Sequence, residues 1–222
     1  MSIRSLPCEP STLFALALAV AAALMGATCA KDDSRERLGK AISSLEETRD
    51  ELADASKQVD AVLAAASGVQ SSQGNLQAAY NRYKKEVKKT EEAAEDSRTR
   101  AHDMRARSAE YQGKWQAEMS KVTNPDLKAA AGARAAKVRG RYEMISAKAQ
   151  AAQAAYAPFI TDLKDLQRYL SVDLTPTAVR EASTVFDKVN ASGRVLKQKL
   201  AALQQELDDV AGEMSAAAGS ST

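Results

Sequence analysis

Residues 176–217 read PTAVREASTVFDKVNASGRVLKQKLAALQQELDDVAGEMSAA. In this stretch Val179, Ala182, Phe186, Val189, Gly193, Leu196, Leu200, Leu203, Leu207, Val210 and Met214 follow one another at alternating steps of three and four. That 3.5-residue period places every one of them on a single stripe of an α-helix, and its persistence over five heptads is the signature of supercoiled helices. A strand would need a period of two, which the stretch lacks.

Three earlier segments carry the same rhythm. The spacing predicts helices over about 33–67, 75–122 and 125–172 in addition to 176–217. The seam of the first is read as Leu38, Ile42, Leu45, Leu52, Val59, Leu63 and Ala66, with Arg49 and Ser56 filling two of its positions. Gly68 and Gly74 bracket a polar loop, and Asn124-Pro125 and Thr175-Pro176 each put a capping side chain before a proline at the first helical position. Short connections make the joined helices antiparallel neighbours. The expected architecture is all-α, a long antiparallel four-helix bundle or coiled coil over residues 30–218, with a flexible tail at 219–222. Folding the chain back at each turn sets Leu52, Thr90, Tyr156 and Gly193 on one level, and Leu63, Tyr80, Leu166 and Ala182 on another. Large residues meet small ones in these layers, as close packing requires. Pro158, in the middle of the third segment, is expected to kink it.

Composition agrees. Aromatic residues are 5 % and charged residues 27 %, with 10 Gly and 5 Pro among 222 residues. Such usage belongs to long helices with a thin core. The net charge of +2 lacks the basic excess of a nucleic-acid binder. Charge is nonetheless uneven, at −3, +3, +4 and −1 along the four segments. Mutual attraction between neighbouring helices accounts for this, and a basic face including Lys84, Lys85, Lys88 and Lys89 is the functional alternative.

The chain opens with the layout of a signal peptide over residues 1–29. Arg4 precedes the apolar run Leu13 to Met25, which is shorter than a spanning helix needs, and small residues follow. Cys29 then ends either a degenerate lipobox, Gly26-Ala27-Thr28-Cys29, as the lipidated first residue, or is discarded by cleavage after Ala30. The lipidated form is preferred, because an isolated Cys there has no other purpose. The expected location is the cell envelope, in the periplasm, with a lipid anchor in the outer membrane.

Catalytic chemistry finds no footing. His102 is the single histidine, and both cysteines, Cys8 and Cys29, lie in the first thirty residues. No triad, paired Glu-x-x-His site, phosphate loop or dinucleotide fingerprint can be assembled. No enzyme, cofactor or metal site is expected. What stands out is a tip, because the second and third segments should project beyond the start of the first by about 20 Å. The tip carries Tyr111, Lys114, Trp115, Met119, Lys121 and Lys128, an amphipathic set suited to a membrane interface or a partner, and Trp115 is the only tryptophan.

Between Tyr80 and Val210 the chain resembles the domain-of-unknown-function 2959 family of Gram-negative bacteria. The likeness lies in Ala93-Ala94-Glu95, Lys114-Trp115-Gln116-Ala117-Glu118, Arg141-Tyr142, and Ala157-Pro158-Phe159 leading into Leu163-Lys164-Asp165. Relatives often carry a Lys-His-Asn-Leu-Asn segment where this chain has Ser171-Val172-Asp173-Leu174-Thr175, so no role passes to a histidine there. The resemblance implies a helical, lipoprotein-like envelope protein and no activity. The functional expectation is a scaffold that binds an envelope protein or membrane surface. A membrane-shaping coiled-coil homodimer is the second reading.

Overall fold

The computed structural model describes residues 31–219, and within them the side chains of 31–38, 40, 41, 96–116, 118, 134, 138 and 217–219 lie outside the description. The segment expected to be a signal peptide, Cys29 and the end of the chain past Gly219 therefore fall outside the described residues. Among those residues the protein is all-α, with five helices: α1 Lys31–Gln70, α2 Leu76–Ser120, α3 Pro125–Val172, α4 Pro176–Glu181 and α5 Ser183–Gly219. The starts of α3 and α4 obey their capping signals. Asn124 Oδ1 accepts from the amides of Asp126 and Leu127 at 2.9 and 3.1 Å, and Thr175 Oγ1 accepts from Ala178 at 3.2 Å. Each cap satisfies donors that the first helical turn leaves open.

Helix α5 packs along α1 and along α3, α1 also packs along α2, and α2 makes a smaller contact with α3. The larger core cluster includes Val59, Val62, Tyr83, Phe159, Leu163, Phe186 and Val189. A smaller one, toward the end where α2 turns into α3, holds Leu45, Ile145, Leu203, Leu207 and Met214. In α5 the entire heptad stripe is buried, from Val189 through Gly193 to Met214, and Val179 and Ala182 continue it upstream. Among the described side chains, α2 buries a stripe of Tyr80, Tyr83, Val87 and Thr90, and α3 one of Ile145, Ala149, Ala152, Phe159, Leu163, Leu166 and Leu170.

Helix α1 differs from its reading. Its buried stripe runs Leu45, Thr48, Val59, Val62, Ala66 and Val69, with Leu52 and Ala55 packed against the core. The reading puts Arg49 and Ser56 on the seam where Thr48 and Ala55 sit, and at the third such position both Val62, fully buried, and Leu63, packed against the core, face inward. The shared positions Leu45, Leu52, Val59 and Ala66 are compatible with either choice. Arg49 consequently flanks the core, with its guanidinium held at the surface by Asp50 and by Asp208 of α5.

The α2–α3 register is the expected one. Tyr83 Oη donates to the carbonyl of Leu163 at 2.7 Å, Tyr80 Oη to that of Gln167 at 2.8 Å, and Tyr156 Oη reaches the carbonyl of Thr90 at 3.4 Å. The α1–α5 register is not. Leu63 meets Gly193, eleven positions along from Ala182, and Lys197 pairs with Asp60 at 2.6 Å. Arg49 meets Asp208 in the same offset. Part of the offset arises because side chains on antiparallel helices lean toward their own N-termini. The rest is an axial slip of α1 against α5.

Two boundaries are corrected. Helix α1 runs through Gly68 to Gln70, because the extra turn buries Val69 completely, which outweighs the roughly 1 kcal/mol cost of a helical glycine. The fourth segment is two helices, interrupted at buried Ala182 with φ −77° and ψ 1°. There α4 ends and Val185 donates to the Ala182 carbonyl over three residues. Neither Gly nor Pro marks this break, but Ser183 and Thr184 follow it, and both are weak helix formers. Pro158 lies on the exposed side of α3, where water can serve the carbonyl it leaves without a donor, and the helix continues to Val172.

Candidate functional site

Three features stand apart from plain packing. The first is the α2–α3 hairpin. Because α1 and α3 point one way and α2 and α5 the other, Lys31 of α1 and the Asn124 turn lie at the same end of the molecule. Lys137 of α3 sits 3.8 Å from Glu213 of α5. From that level α3 extends twelve residues back to Pro125, whereas α5 has six left to Gly219, so at ~1.5 Å per residue the hairpin reaches about 9 Å beyond the last described turn of α5. Every residue from 123 to 130 is exposed, and Leu127 is 61 % exposed. Lys121 and Lys128 are exposed with it, while Met119 and Val122 are half-buried. The side chains of Tyr111, Lys114 and Trp115 lie outside the described ones, as do those of His102 and Arg134.

The second feature is a cluster of charge between α3 and α5. Glu206 is only 5 % exposed, and its carboxylate accepts from Lys148 and, at 3.3 Å, from Arg141. Arg141 also bonds Glu213. A buried carboxylate persists only where cations compensate its lost hydration, and here α3 supplies two. Its position one residue before the stripe residue Leu207 gave no sign of this burial, since the heptad pattern marks only apolar seams.

The third feature is an apolar cavity of about 110 Å³ in the middle of the molecule, between α1, α2, α3 and α5. Alanines form much of its wall, among them Ala94, Ala149 and Ala152. Thr48 and Thr90 are buried in it. Thr90 donates to the carbonyl of Glu86, as does Gln58 at 3.2 Å. Glu86 itself is held below the usual carboxylate range, chiefly by Lys89 and then by Gln58. Three lysines of α2 are similarly occupied. Lys88 pairs with Glu92, Lys89 with Glu86, and Lys84 lies over the Tyr80 ring.

Among the described residues no group of three or more His, Cys, Asp or Glu side chains could hold a metal ion, and no helix is long and apolar enough to cross a membrane. The geometry thus defines a class: an all-α protein of long, mutually packed helical rods with one protruding hairpin. The chain belongs to the family described as "Protein of unknown function (DUF2959)", whose model matches residues 30–216. No curated protein and no solved structure matches it.

Proposed function

We propose that this protein is a non-catalytic, exported scaffold of the cell envelope, an antiparallel four-helix bundle in which α4 and α5 together form the fourth rod behind a signal peptide. It engages an anionic membrane surface or an envelope partner through the α2–α3 hairpin. The observation that carries this reading is the shared end of Lys31 and the Asn124 turn, with Leu127 bare between Lys121 and Lys128. A lipid on Cys29 would tether the molecule so that this hairpin faces the bilayer. An exposed leucine flanked by lysines fits a headgroup region, where apolar contact and attraction to anionic lipid add. The dimer reading draws less support, because Lys84, Lys88 and Lys89 already have partners on their own helix.

Flotation with anionic liposomes tests it, using the Cys29→Ser protein so that no acyl chain contributes. Combining Leu127→Ser, Lys121→Glu and Lys128→Glu should weaken binding more than tenfold, at about 1 kcal/mol per lysine near the surface. Failure of the parent protein to float, or flotation untouched by the three changes, would remove the hairpin from membrane contact.

A further inference from the structure

We propose that the mid-molecule cavity is a binding site for a small, mainly apolar alcohol or phenol, with the Thr48 hydroxyl as its hydrogen-bonding contact. This is independent of the scaffold reading and of the hairpin. The cavity lies where α2 and α3 present the short side chains of Ala94, Ala149 and Ala152. Larger residues on either side, Phe159 and Tyr83 in one direction and Ile145 and Leu207 in the other, belong to the packed core and hold the helices apart. Leu52, Leu196 and Leu200 add to the wall, which is mainly hydrocarbon.

Thr48 is the independent observation. It is 6 % exposed, it lines the cavity, and its hydroxyl has no hydrogen-bond partner among the described residues. A buried hydroxyl left without a partner is unfavourable, and native cores seldom keep one without a reason. Water is a poor occupant, since a buried water needs two to four polar partners. Of the other polar side chains in the wall, Gln58 and Thr90 are already bonded to Glu86 and Glu51 has a partner, which leaves Gln153 beside Thr48. The volume of about 110 Å³ is of the same order as the roughly 150 Å³ apolar cavity known to stay dry and take up benzene. A benzene-sized hydrophobe bearing one hydroxyl satisfies both the hydrocarbon wall and Thr48. Valine in place of Thr48 would keep the shape and delete the polar contact.

Titration of the full chain with phenol and with benzene, followed by methyl NMR, tests the site. Saturable shifts are expected at the methyls of Leu52, Leu200 and Ala152. Phenol should bind roughly three- to tenfold more tightly than benzene, the usual worth of one net hydrogen bond. Thr48→Val should erase that preference while benzene still binds. Ala152→Leu, checked for folding by its melting transition, should fill the space and abolish both. Should Ala152→Leu fail to fold, the phenol-to-benzene ratio in the parent and in Thr48→Val decides alone. No saturable shift, equal affinities in the parent, or parent-like binding by a folded Ala152→Leu would each overturn the proposal.

Discussion

Tyr83 of α2, wholly buried, donates its hydroxyl to the main-chain carbonyl of Leu163 on α3 at 2.7 Å. One helical turn away Tyr80 does the same to Gln167 at 2.8 Å. Two parallel bonds from one helix to the backbone of another fix their axial register, which apolar contacts alone leave free to slide. They matter here because α2 touches α3 less extensively than α5 does.

Removing the Tyr83 hydroxyl isolates this bond. Tyr83→Phe keeps the ring and should cost about 0.5–1.5 kcal/mol in chemical denaturation, because the Leu163 carbonyl retains its place in the helix ladder. Burial, and to a smaller degree Tyr80, pushes the Tyr83 phenol above its ordinary value. A raised native pKa means that the folded state keeps a proton the unfolded chain releases. The stabilisation is complete below about pH 10 and declines above it, by up to roughly 1.4 kcal/mol per pH unit. The difference in stability between the parent and Tyr83→Phe should therefore shrink or reverse as pH rises past 10, and a constant difference would contradict it.

Gly193 is needed for its missing side chain, since its backbone is ordinary helix. A Cβ there would stand 2.9 Å from Leu63 Cδ2 and 3.0 Å from Phe159 Cε2. Phe159 is fully buried and cannot retreat. Gly193→Val should lower stability by about 1–3 kcal/mol through overpacking, despite the helix propensity gained over glycine. Leu63→Ala opens the space, so the pair of changes should recover part of the loss. A Gly193→Val protein as stable as the parent would place Leu63 elsewhere.

Glu206 should respond asymmetrically with its partners. Glu206→Ala strips the carboxylate from two cations and should cost about 1–3 kcal/mol, moderated because Arg141 and Lys148 keep some access to water. Lys148→Ala leaves Arg141 in place and should cost less than about 1 kcal/mol. Equal losses from the two, measured by thermal or urea unfolding, would show that the carboxylate is no more dependent on its site than the lysine.

Much of this architecture was legible before any coordinates. Strict steps of three and four from Val179 to Met214 could satisfy only a helix with one buried stripe, and Asn124-Pro125 and Thr175-Pro176 announced their helix starts by cap chemistry alone. The stripe of α1 is ambiguous in sequence because Arg49 and Ser56 make as plausible a period as Thr48 and Ala55 when Leu45, Leu52, Val59 and Ala66 serve both. That single exchange hid Thr48, and with it the cavity, from any reading of the sequence. The membership of the family of unknown function was legible too, from Lys114-Trp115 and Ala157-Pro158-Phe159.

By itself the sequence determined which segments are helical and, for α2, α3 and α5, which face turns inward, because local propensity and a repeat near 3.6 residues act within each segment. Only the tertiary structure decided how far α1 slides along α5, that Leu63 meets Gly193, and that Glu206 is sheltered by Arg141 and Lys148. A displacement by whole turns returns the same residues to the same face. Periodicity is therefore blind to it, and only the fit of particular side chains across the interface selects one position.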